Sequence, residues 1–158
     1  MDVNNTLFFQ AARTGDLDIL NRLLREGMAV NNRDEKGYTP LIIACYNNQQ
    51  DAAKLLLEAG ADVNTGDAGG NTALMGVCFK GYPLIADLLI RYGANLDLQH
   101  GNGGTALMFA AMFGRNDMIR LLLANGANRN LTDNRGLSAF DLAAQQGNEE
   151  AIEVLESQ

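Results

Sequence analysis

The residues of this chain recur every 33 positions. Glycines fall at Gly27, Gly60, Gly93 and Gly126, with spacings 60−27, 93−60 and 126−93, each 33. A second ladder with the same step runs through Thr6, Thr39, Thr72, Thr105 and Ser138. A third holds Gly15, Gly81, Gly114 and Gly147, with Asn48 in the remaining place. Three ladders sharing one period point to an array of like units. Each unit is a supersecondary element that cannot bury its apolar face alone, so the units must stack.

One period can be read residue by residue. The hydroxyl of Thr or Ser satisfies orphan amides of a first helical turn and marks a helix start. Pro40 suits the first helical position, where no amide hydrogen is needed. A short first helix is predicted from Thr39 to Asn47, closed by a left-handed Gly or Asn cap. The second helix carries Ala52, Leu55 and Leu56 at i, i+3 and i+4, an inward stripe, and Gly60 ends it. A turn rich in Asp, Asn and Gly leads onward.

Two stretches carry a family resemblance. Asp34-Glu35-Lys36-Gly37-Tyr38-Thr39-Pro40-Leu41 resembles the opening turn and Thr-Pro-Leu-His motif of ankyrin repeats. Leu55 to Asn64 is similar to their second-helix ending, as are Leu88 to Asp97 and Leu121 to Asn130. The resemblance covers nearly the whole chain. It departs at the family's His, which is Ile42, Met75, Met108 and Asp141 here. It implies an all-α solenoid of stacked helix-turn-helix units with hairpin-like loops. Five units are expected: an N-terminal cap at 1–33, internal repeats at 34–66, 67–99 and 100–132, and a C-terminal cap at 133–158. Asp18, Asn21 and Arg22 in the first unit, and Glu149, Glu150, Glu153 and Glu156 in the last, supply the polar outer faces that caps need.

Composition narrows the partners. Hydrophobic residues make up 47% of the 158, enough for a core. The formal net charge of −7 disfavours a nucleic-acid partner. There is no basic patch for a membrane surface and no apolar stretch of the roughly 18 residues that spanning needs. Met1 to Gln10 has neither a basic nor a long apolar region, so no signal peptide is expected.

Chemistry-bearing residues are few. Cys45 and Cys78 are the only cysteines and lie 33 apart, in one column of adjacent repeats. Helices stacked side by side sit roughly 8–10 Å apart, whereas a disulfide needs Cα atoms within about 7 Å. A reduced, disulfide-free monomer in the cytoplasm is therefore expected. Their column holds Ala12, Ala111 and Ala144 elsewhere, so each acts as a small buried residue. His100, the only histidine, stands where other units have Asp34, Asp67 and Asp133, and is expected to be a solvated turn residue. No metal site follows from so few ligands. Gly66-Asp67-Ala68-Gly69-Gly70 and Gly101-Asn102-Gly103-Gly104 resemble phosphate loops but lack the strand and the lysine of such motifs. No carboxylate pair is placed for acid–base work. No cofactor and no small-molecule substrate are expected.

Family resemblance implies a protein partner on the concave face, formed by hairpin tips and the outer side of the first helices. One first-helix column reads Arg13, Tyr46, Phe79, Met112, Gln145; its neighbour reads Thr14, Asn47, Lys80, Phe113, Gln146. Hairpin columns add Tyr38 and Arg135. The expected partner-binding residues are Arg13, Tyr38, Tyr46, Asn47, Phe79, Lys80, Met112, Phe113 and Arg135, since exposed aromatics with a polar rim mark interfaces. Gly76, whose column otherwise holds Ile43, Phe109 and Leu142, predicts a gap filled by the Phe109 ring. The function implied is a non-catalytic adaptor or inhibitor, including a bacterial immunity protein that neutralises a toxin. The competing class is a thiol-dependent redox protein using Cys45, Cys78 or His100.

Overall fold

In a computed structural model, residues 2–157 are described, and they contain ten helices. The helices are α1 (Val3–Thr14), α2 (Leu17–Arg25), α3 (Pro40–Tyr46), α4 (Gln50–Glu58) and α5 (Ala73–Lys80). They continue with α6 (Pro83–Arg91), α7 (Ala106–Met112), α8 (Asn116–Ala124), α9 (Ala139–Gln145) and α10 (Glu149–Glu156). Odd helices pack in one layer, α1 on α3, α3 on α5, α5 on α7, α7 on α9. Even helices form the second layer, and each packs on the odd helix before it. The result is an all-helical solenoid.

Helices this short are marginal alone, so packing holds them. Leu23, Leu56, Leu89, Leu122 and Leu155 form a buried column through the second layer. Small residues at the interior of the first layer, such as Ala44, Cys45, Val77, Cys78, Ala110 and Ala111, let adjacent helices approach. In α4 the inward residues are Ala52, Ala53, Leu56 and Leu57, with Leu55 only half buried.

The caps follow the threonine ladder. Thr39, Thr72 and Thr105 accept from the amides of Ile42, Met75 and Met108 at 3.1, 3.2 and 3.2 Å. Ser138 accepts from Asp141 N at 3.2 Å, and the Asp141 carboxylate accepts back from Ser138 N at 2.9 Å. The first unit departs from the ladder. Asp2 caps α1 by accepting from Asn5 N at 2.7 Å, so Thr6 lies one turn inside the helix. Its hydroxyl donates to the Asp2 carbonyl instead. Asn48, in the column of helix-ending glycines, has φ +58 and is the one non-glycine with positive φ among the described residues.

Two rails of hydrogen bonds join the units. Asn31, Asn64 and Asp97 accept from the amides of Asp62, Asn95 and Asn128 at 2.8, 2.7 and 2.8 Å. At the hairpin tips, the amides of Ala68, Gly101 and Asn134 donate to the carbonyls of Lys36, Gly69 and Asn102. Cys45 and Cys78 are free and buried.

Candidate protein-binding face

The outer side of the first helices carries a continuous run of rings. Tyr46 and Phe79 sit one repeat apart and stack with centroids 6.2 Å apart and planes inclined by 13°. Phe113 closes on Phe79 edge-on, at 4.7 Å and 81°. The Lys80 ammonium lies 4.8 Å above the Tyr46 ring centre. Tyr46 and Phe113 remain 42% exposed each. Large rings at the ends of short helices cannot reach the core, which the smaller residues of the same helices already fill.

These rings border a groove of about 590 Å³. Arg13, Tyr38, Tyr46, Asn47, Phe79 and Phe113 all line it, and Ile42, Met75 and Gly76 form its floor. Lys80 belongs to the same assembly through Tyr46. Met112 and Arg135 do not. They line a second hollow of about 410 Å³ with His100 and Met108. Phe109 borders both and forms the wall between them. Six of the nine expected residues therefore line one groove, Lys80 lies over one of its rings, and two lie beyond a partition.

Gly76 has a neighbour other than the one expected. A Cβ on Gly76 would meet Tyr46 Cδ1 at 3.2 Å, and Phe109 is not within 4 Å. The Phe109 ring is held elsewhere, edge-on to His100 at 5.2 Å. That pairing depends on Gly104, where a Cβ would lie 2.7 Å from His100 Cε1 and 3.6 Å from Phe109. The Gly104 column reads Tyr38, Asn71 and Leu137 in other units. A glycine replacing a side chain within a column was the available signal for both hollows.

His100 is half buried rather than solvated. Its Nδ1 accepts from Gly104 N at 2.9 Å, doing the work of the aspartates in the same column. Asp34, Asp67 and Asp133 each accept two backbone amides of their hairpins. Asp133 also pairs with Arg135 at 2.8 Å, so this arginine is engaged within its own hairpin. The Leu137 amide and then the Arg135 guanidinium hold the Asp133 carboxyl below its ordinary range.

Residues 2–67 and 74–157 match a family model described as ankyrin repeats (3 copies). The chain belongs to the ankyrin repeat family. A comparison with curated proteins finds no match. Ankyrin repeats are general protein–protein interaction modules. This ankyrin array lacks the family's usual histidine, and the substitutes act locally. Asp141 closes a capping box with Ser138, and the Met75 sulfur accepts from Thr72 N at 3.4 Å. Ile42 and Met108 are buried packing residues. The two rails, together with side-chain bonds such as Arg33 to the Gly66 carbonyl, carry hydrogen bonds between ankyrin units.

Thiol chemistry has poor footing in this ankyrin array. Burial pushes the Cys78 thiol up to about 12 and raises Cys45 as well. The thiolate is the nucleophile, and at neutral pH these buried groups are thiols. Among the described residues no group of three His, Cys, Asp or Glu could hold a metal ion. No described helix is long and apolar enough to cross a membrane.

Proposed function

We propose that this chain is a non-catalytic adaptor or inhibitor that holds a protein partner on its concave face. The run Tyr46–Phe79–Phe113, exposed at its two ends and half-buried at Phe79, borders an open groove and carries this reading. Rings left in water cost apolar hydration, and aromatic anchors in such patches are the usual centres of binding energy. Arg13, Tyr38, Asn47 and Lys80 form the polar border around them. Met112 and Arg135 extend the surface past Phe109. The array is taken as five units with the outer two as caps. It is taken to work as a monomer in a reducing cytoplasm, since both thiols are buried and unpaired.

The test is capture of a partner from the native host by the full chain, compared with Phe79→Ala and Phe113→Ala. Each truncation should weaken capture by about tenfold or more, an aromatic hot spot being worth about 1–2 kcal/mol. Phe113→Ala should leave the helical circular dichroism and melting temperature nearly unchanged. Capture that survives both truncations sinks the concave-face reading.

A further inference from the structure

The groove differs from the rest of the surface in floor and in charge. In the column that forms its floor, Ile43 and Leu142 are core residues, while position 76 has no side chain. Gly76 is itself half exposed, so the groove reaches the helix backbone between the Tyr46 ring and Met75.

The sign of its border is opposite to that of the chain. Arg13 lines it, and Lys80 caps the Tyr46 ring. Beside these two cations the groove has one lining carboxylate, Asp67, in the hairpin. Its Oδ1 is taken by the amides of Gly69 and Asn71, each at 2.9 Å. Among the described residues, neither cation is paired with a carboxylate. The helix dipole favours a cation in a last turn, where Arg13 and Lys80 stand. It supplies no counter-charge, and a chain of net charge −7 has carboxylates to spare.

We infer that the groove takes an acidic segment of a partner protein. One aromatic or long aliphatic side chain seats on the floor at Gly76, against the Tyr46 and Phe79 rings, and flanking Asp or Glu residues meet Arg13 and Lys80. This rests on the concave-face reading and specifies its partner. The apolar anchor supplies affinity, and the carboxylates supply selection against basic segments.

The probe is a random peptide library displayed on phage and selected on the immobilised full chain. Synthetic copies of the enriched sequences are then titrated. Enriched sequences should pair Phe, Tyr, Trp, Leu or Met with flanking Asp or Glu. Their affinity should drop by about tenfold or more in Phe79→Ala and in the double variant Arg13→Glu/Lys80→Glu, and should weaken with salt. Gly76→Leu, which fills the floor, should abolish binding with helix content retained. Basic or uncharged sequences that still need Phe79 would overturn the acidic-segment inference and leave the concave-face reading standing. Sequences that bind Phe79→Ala and the parent chain equally would overturn both. A selection that enriches nothing would overturn the inference alone, since a folded partner surface could still dock.

Discussion

Replacing Gly76 with alanine should raise the stability of this protein by about 0.5 kcal/mol. Inside a helix, alanine is favoured over glycine by about 1 kcal/mol. Gly76 lies within α5 and its backbone is in the ordinary right-handed region, so a Cβ adds no backbone strain. The cost is the contact with Tyr46, at 3.2 Å to Cδ1 and 3.9 Å to Cε1. The ring must withdraw by a few tenths of an ångström. It is 42% exposed and its stack on Phe79 is loose, at 6.2 Å between centroids, so it has room to do so. A small χ displacement of this kind costs about 0.5 kcal/mol. Urea unfolding followed by circular dichroism measures the balance. With a slope of about 1–3 kcal/mol per molar, the midpoint should rise by about 0.2–0.5 M. In a double-mutant cycle, Tyr46→Ala should make Gly76→Ala more favourable, and Phe109→Ala should not. A loss of stability in Gly76→Ala beyond about 0.5 kcal/mol would mean that Tyr46 is a fixed wall rather than a ring free to withdraw.

Two further outcomes follow from the rails and the thiols. Asn64→Ala removes the acceptor for Asn95 N, held at 2.7 Å, and should cost about 0.5–1.5 kcal/mol in urea unfolding. The Asn95 amide should also exchange its hydrogen faster. For the thiols, burial raises the folded values above the ordinary 9.0, so above pH 9 the unfolded chain binds fewer protons than the folded one. Stability should therefore be unaffected by them below that pH. It should fall as pH rises past it, by up to about 1.4 kcal/mol per pH unit for each thiol. Stability measured against pH should lose this added slope in Cys45→Ala/Cys78→Ala, and an unchanged slope would show that the thiols are not buried.

Column logic carried most of the architecture. A 33-residue period assigns each residue a place, and for Leu23, Leu56, Leu89, Leu122 and Leu155 place alone decides burial. Thr39, Thr72 and Thr105 cap as expected because their bond is local, spanning three residues. Column position does not decide an outcome that depends on rotamers or on a competing local group. The occupant beside Gly76 is whichever ring turns towards it, and Phe109 was already committed to His100. The start of α1 was decided by Asp2, an acceptor outside the ladder. Met112 stands in the column of Tyr46 and Phe79, yet the Phe109 ring divides it from them, and no column predicts a partition.

The seams between first helices are not fastened alike. At the α1/α3 seam, Gln49 Nε2 donates to the Arg13 carbonyl at 3.2 Å, and at the α5/α7 seam Arg115 Nε donates to the Phe79 carbonyl. Among the described residues the α3/α5 seam has no such clasp; there Tyr46 leans on Phe79 without a bond across the helix ends. The loop-side rails nevertheless cross this seam, through Asn31 and Lys36 before it and Asp62 and Ala68 after it. A joint fixed along one edge and unlatched along the other opens like a book. At the second junction, under the groove, the helix ends are thus held by ring packing rather than by such a clasp. Parting the helix ends there would strain ring contacts, while parting the hairpin side would break rail hydrogen bonds.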